Sequence, residues 1–314
     1  MKQVYTYIKD YIKSDFNVFT YLYTAIFLII AFIINYGFDF EDKILSKTYG
    51  KPIGFFYYSV YYAFAYFAIA IPIVLYYKKH KVLKDHRFWI KSISFVALIG
   101  VAGAFYYYDD ILSLFNDALE QFYVRKILIN SKRTVLYLIP LFIIKMIFDK
   151  DVKGLYGLRF KQFNIKPYFI MLLIMIPVIV WASYQPDFLN VYPKFRPWIG
   201  SEVFSLNTWQ RTAIFEFIYG LDFVFVELIF RGTLVIGMVS LLGKDVILPM
   251  VVTYAFLHFG KPMPEAIGSI FGAYILGVIA LYTKNIMGGC IIHMGVALFM
   301  ELSAMGQYYI YGNQ

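Results

Sequence analysis

The stretch Phe19–Phe38, FTYLYTAIFLIIAFIINYGF, decides the class of the molecule, because its twenty residues carry no charged side chain. A helix rises about 1.5 Å per residue, so a run of this length crosses a hydrocarbon core of about 30 Å. It is too long for a typical signal-peptide core and no small-x-small cleavage site follows it. The sequence therefore predicts a retained first span.

Further apolar runs follow outward from it, at about Ile53–Tyr77, Phe88–Tyr107, Thr134–Phe148 and Pro167–Ser183. Four more follow in quick succession, at about Trp209–Leu242, Val246–Phe259, Pro264–Tyr282 and Ile286–Tyr309. Composition agrees, since 61% of the 314 residues are hydrophobic, 21% aromatic and only 16% charged. A soluble domain cannot hide that much apolar surface. The expected fold class is all-α: a polytopic transmembrane helical bundle of about 8–9 membrane helices. The mixed segment Met1–Val18 suits a short interfacial helix or a solvated tail.

The net charge of +9 resides in short loops beside apolar spans, where it sets orientation and meets anionic lipid. Nucleic acid is not expected as a partner; the lipid bilayer is. The connector Lys78–Arg87 holds five Lys or Arg against one Asp. Lys150, Lys153, Arg159, Lys161 and Lys166 mark a second basic loop. Between the two lies a segment that opens acidic, with Asp109, Asp110, Asp117 and Glu120. This alternation predicts a cytoplasmic N-terminus in a multi-pass protein of the cell inner membrane. Cys290 is the only cysteine, which excludes an internal disulfide and a Cys-based metal cage.

Residues 1–166 read as accessory transmembrane helices and 167–314 as the functional bundle, with Tyr184–Thr208 expected as a mobile lid or interfacial loop. No internal repeat is evident. The chemistry-bearing residues lie in the last four helices. Phe225-Val226-Glu227-Leu228-Ile229-Phe230-Arg231-Gly232 places a carboxylate and a guanidinium one helical turn apart in an apolar setting. Ionisable groups at membrane depth cost roughly 2.5–3.5 kcal/mol each, so they are kept for pairing, a water-filled cavity or chemistry. On an ideal wheel Glu216 lies about 20° from Glu227, and Arg231 about 40° beyond it. These three form one polar stripe, while Asp222 points elsewhere. An ion pair that fixes packing accounts for Glu227 and Arg231 as readily as catalysis does.

Two histidines on other helices favour catalysis. His258 ends the helix of Tyr254-Ala255-Phe256-Leu257-His258 and is followed by a Gly-Pro break and Glu265. His293 lies well inside the last apolar run. One Glu and two His could position a water, take its proton and stabilise an oxyanion. Among the small residues, Gly268 and Gly272 form a G-x-x-x-G with Gly277 beyond it. Gly288, Gly289 and Gly295 line the His293 helix, and close helix packing is the expected use of all six.

These residues resemble the CAAX protease and bacteriocin-processing (CPBP, or Abi) family of intramembrane endopeptidases. The family pattern is Glu-Glu-x-x-x-Arg on one membrane helix, Phe-x-x-x-His on the next and His-x-x-x-Asn or Asp further on. Glu227 and Arg231 match the second Glu and the Arg, Tyr254 and His258 match the second motif with Tyr for Phe, and His293 matches the third. The resemblance spans about Trp209–Glu301. It departs from the pattern at Val226, where the first Glu is expected, and at Ala297, where the closing Asn or Asp is expected. Asp222 lies one turn before Val226 and Glu301 one turn after Ala297, and Glu265, seven residues after His258, is a third candidate acid.

The resemblance implies cleavage of a membrane-associated peptide or lipidated protein. Glu227, or one of the three nearby acids, would act as base with His258. His293 would steady the oxyanion, and Arg231 would hold Glu227. No cofactor is required, although Glu227, His258 and His293 could instead bind Zn²⁺ with a water in the open position. Two other classes stay open: a catalytically inactive relative that acts as a membrane binding or scaffold protein, and a small proton-coupled transporter, against which the missing repeat counts.

Overall fold

The computed structural model describes residues 2–160, 164–200 and 202–312, so Lys161 of the second basic loop lies outside the described residues. Among the described residues the chain is helical, with no strand and with isolated β-bridges only at Leu155–Leu158 and Val203–Leu206. The longer helices are α1 (Lys2–Asp15), α2 (Val18–Phe38), α3 (Pro52–Tyr76), α4 (His86–Ala104), α5 (Ala118–Phe148), α6 (Lys166–Ala182), α7 (Thr208–Glu227), α8 (Ile247–Leu257), α9 (Met263–Thr283) and α10 (Met287–Tyr311). A π-helix, Leu228–Gly237, continues α7 directly.

Among the described residues, seven helical stretches are long and apolar enough to cross a membrane: Val18–Phe38, Pro52–Tyr76, His86–Leu112, Ala118–Phe148, Thr208–Leu257, Met263–Thr283 and Met287–Tyr311. The protein is thus an all-α, polytopic integral membrane protein. The fifth stretch, 50 residues long, breaks at Gly243 with φ of 67° into the Glu227 limb and the His258 limb. Helix α6, with 17 residues, is apolar but shorter.

Local chemistry sets the boundaries. Asn17 caps α2 by accepting from the N–H groups of Phe19 and Thr20 at 3.0 and 3.3 Å. Pro52 opens α3, where its missing N–H costs nothing. Asp85 caps α4 through the N–H of Arg87. Helix α5 starts at Ala118, sixteen residues before the expected Thr134, because Asp117 accepts from the N–H groups of Leu119 and Glu120. Arg125, Lys126, Lys132 and Arg133 hide that first half from a hydropathy reading.

By contacts the chain divides into two compact units that interleave in sequence. The first comprises Met1–Phe105, Leu136–Phe163 and Glu227–Met287; the second comprises Tyr106–Val135, Asn164–Val226 and Gly288–Gln314. The expected division at 166/167 differs from this one, since Glu227–Met287 joins the N-terminal helices. The reason is contact made by α2 and α3. Asn35 donates to the Phe259 carbonyl at 2.9 Å, and Tyr61 donates to that of Phe256 at 3.2 Å.

In the first unit, α3 and α4 meet backbone to backbone, where a Cβ on Gly100 would lie 2.5 Å from Ser59 Cα. Lys91, 2% exposed, pairs with Asp149 at 2.7 Å and also donates to the carbonyl of Gly237, the last residue of the π-helix. Tyr156 donates to the other Asp149 oxygen at 2.9 Å. At the G-x-x-x-G, Gly268 and Gly272 face open space, contrary to the packing expected there. The close approach comes at Gly277 instead, where a Cβ would meet Met250 at 2.5 Å.

The second unit has a core of Tyr123, Phe195, Val203, Phe215, Tyr219 and Ala297. Gly288 and Gly295 give room to Tyr168 and Leu172 on α6, as packing glycines should. The 184–208 connection is packed rather than loose. Phe195 and Val203 enter the core, Trp198 stacks on Tyr308 at 3.5 Å, and Arg211 donates to Gly200.

Candidate functional site

The π-helix that begins one residue after Glu227 has a wider turn than an α-helix, a geometry that recurs at functional sites. Glu227 is 0% exposed and Arg231 1%, and their side chains meet at 2.9 Å between Oε1 and Nη1. Such a pair is strongly coupled, because each charge would be costly without the other. The guanidinium also lies over the ring of Tyr254, 4.3 Å from its centre. The Tyr254 ring is in turn 4.6 Å from that of His258, one turn later on α8. An acid, a guanidinium, a phenol and an imidazole are thus in sequence contact inside the first unit.

His258 is oriented as well as buried. Its Nδ1 lies 3.0 Å from the Tyr254 carbonyl oxygen. A carbonyl can only accept, so Nδ1 carries a proton, and Nε2 is the nitrogen at which the ring gains or gives up a second one. The backbone just beyond is tied down too, since Tyr36 donates to the Lys261 carbonyl at 2.9 Å. Beside this turn is a cavity of about 230 Å³ lined by Asn35, Tyr36, Asp39, Glu41, Asp42 and Phe259–Pro262. Burial holds the Glu41 carboxyl above its ordinary range there, a rise opposed by the hydrogen bond from Ser46.

The other acids singled out in the sequence are engaged elsewhere. Asp222, itself buried, pairs with the half-buried Arg133 in the second unit. Glu265 pairs with Lys261. Glu301, 0% exposed, accepts from the Lys194 N–H with both oxygens, at 2.9 and 2.8 Å. Glu216 belongs to the second unit, whereas Glu227 and Arg231 pair with each other in the first, so the structure does not describe the expected stripe of Glu216, Glu227 and Arg231 as one set. His293 belongs to the second unit, its ring centre 4.5 Å from that of Phe223.

Val226 and Ala297, which stand where the family pattern has polar residues, are both buried, Ala297 in the aromatic core. Among the described residues no three His, Cys, Asp or Glu side chains gather in a group that could hold a metal ion. Zinc on Glu227, His258 and His293 therefore supplies no step below. Sequence reading missed Lys91, Asp149 and Tyr156, whose network grips the end of the π-helix, and Arg133, the partner of Asp222. Of these only Lys91 carried a signal, as a charged residue inside an apolar run. No family model, curated protein or solved structure matches the chain, so its resemblance to the CAAX protease and bacteriocin-processing family rests on Glu227, Arg231, Tyr254, His258 and His293 themselves.

Proposed function

We propose that the protein is an intramembrane endopeptidase of the CAAX protease and bacteriocin-processing type, acting on a membrane-associated peptide or lipidated protein. The observation that carries this reading is the run Glu227–Arg231–Tyr254–His258, which ends on an imidazole with a defined basic nitrogen. In hydrolysis His258 Nε2 takes a proton from water, the hydroxide adds to the peptide carbonyl, and the proton passes to the departing amine. Glu227 is the acid of this run, and Arg231 holds its carboxylate in place through the 2.9 Å ion pair. His293, to which the resemblance assigns the oxyanion, belongs to the second unit and enters no step here. With Asp222, Glu265 and Glu301 committed to other partners, Glu227 is the acid of choice.

The setting is the inner membrane with the N-terminus in the cytoplasm. Supporting this, Lys79 of the first basic connector pairs with Asp245, and Arg159 of the second basic loop donates to Thr283. Tyr11 of α1 donates to the Lys244 carbonyl beside Asp245. Basic loops and amino-terminal helix thus share neighbouring turns, and positive charge favours the cytoplasmic side.

The test uses purified protein in proteoliposomes with single-span peptides, with and without a C-terminal prenyl group, and mass spectrometry of the products. New peptide termini are expected with wild type and not with Glu227→Gln. The buried Val226 and Ala297 favour a second reading, a silent relative that binds such peptides; binding without new termini would establish it.

A further inference from the structure

Helix α1 takes no part in the proposed chemistry, yet the first unit holds it in a defined place. Its Tyr7 ring stacks on Tyr282 of α9 at 5.2 Å, its Tyr11 ring meets that of Tyr274 edge-on at 5.8 Å, and Val4 and Tyr11 are buried. Tyr11 also donates to the Lys244 carbonyl at 3.2 Å, while the Lys244 ammonium donates to Ser14. Lys244 follows Gly243, the break between the Glu227 limb and the His258 limb. Only Phe16 and Asn17 separate α1 from the span α2, which tethers α1 at the membrane surface.

The remaining faces of α1 are sorted by chemistry. At about 100° per residue, Tyr5, Ile12 and Phe16 share an arc of about 40°, Lys2, Lys9 and Lys13 share the next arc of about 40°, and the packed Val4, Tyr7, Ile8 and Tyr11 lie opposite the lysines. Phe16 belongs to the pattern because its N–H still bonds the Ile12 carbonyl at 3.0 Å. Tyr5, Ile12 and Phe16 are all exposed, and so are the three lysines. Among the described residues none of the three lysines pairs with a carboxylate. An apolar stripe flanked by ammonium groups fits a lipid surface, where the stripe enters the acyl boundary and the lysines reach the phosphates.

We propose that α1 is a clamp seated by anionic phospholipid. Headgroups held by Lys2, Lys9 and Lys13 fix α1 against α9, and Tyr11 and Ser14 then hold the Lys244 turn between the two limbs. The exposed Lys78, Lys81 and Lys84 of the first basic connector add positive charge on the side where Lys79 pairs with Asp245, the neighbour of Lys244. The inference holds whether or not the protein cleaves peptides, because it concerns binding alone.

Hydrogen–deuterium exchange of the full-length protein tests it, in phosphatidylcholine nanodiscs with and without phosphatidylglycerol. With the anionic lipid, the amides of α1 and of Lys244–Val246 should exchange about tenfold more slowly, an effect that high salt removes. Changing Lys2, Lys9 and Lys13 together to Gln should abolish the slowing, and changing them together to Arg should preserve it. Inorganic phosphate added to phosphatidylcholine nanodiscs should not reproduce it, since phosphate offers no apolar phase to Tyr5, Ile12 and Phe16. Equal exchange in the two lipids overturns the proposal, as does slowing that survives in the Gln variant, is matched by phosphate, or stops at α1 without reaching the Lys244 turn.

Discussion

The guanidinium of Arg231 lies over the ring of Tyr254, 4.3 Å from its centre, while its Nη1 meets Glu227 at 2.9 Å. One side chain therefore joins the acid on one helix to the aromatic ring that packs on His258. If this link positions the acid, Arg231→Lys, which keeps the charge but loses the planar stack, should lower kcat with little change in KM. Arg231→Met should also destabilise the fold by about 3–5 kcal/mol, since it strands a buried carboxylate. Adding Glu227→Gln to it should recover most of that loss in a denaturant titration.

The Lys91–Asp149 pair offers a control away from the proposed chemistry. It is buried at both ends and closes on the last carbonyl of the π-helix. Lys91→Met alone should cost about 3–5 kcal/mol, and the double change with Asp149→Asn much less. A thermal melt of each variant in detergent decides this.

Glycines provide a paired test of helix contact. Gly100→Val places atoms against the Ser59 backbone, where a Cβ alone already comes within 2.5 Å, so α3 and α4 must separate and the protein should lose stability. Gly268→Ala meets nothing within 4 Å and should be neutral or stabilising, by up to about 1 kcal/mol from helix propensity. Equal melting temperatures for the two would contradict the described packing.

Acid should weaken one cap in a defined window. The hydrogen bonds and charge of Arg87 lower the Asp85 carboxyl from its ordinary 3.8 to about 2. A carboxylate with a depressed folded value contributes stability above its unfolded value and loses it as pH falls through the folded one. The start of α4 should therefore fray between pH 3.8 and about 2, followed by the amide shift of Arg87. Asp85→Asn should remove that titration.

How much of this was legible in sequence depends on the separation of the partners. Membrane spans follow from local hydropathy, and Phe19–Phe38 was read almost to the residue. The Glu227–Arg231 pair was legible because its members are one turn apart on one helix. Lys91 with Asp149, Arg133 with Asp222, and Lys194 with Glu301 lie 58, 89 and 107 residues apart, and no periodicity links such positions. Asp222 and Glu301 consequently read as spare acids for the site when each already had a partner. The 184–208 connection looked loose because its prolines and polar residues mask Phe195 and Val203, which anchor it. Gly268 and Gly272 had the right spacing for helix contact, but spacing does not say which face meets a neighbour.

The most direct test of the central claim is the initial rate of peptide cleavage in proteoliposomes by wild type and His258→Ala, with the fold of each verified by its melt. The account predicts cleavage by wild type and a loss of at least about a hundredfold in the variant. Cleavage by His258→Ala at the wild-type rate would contradict it.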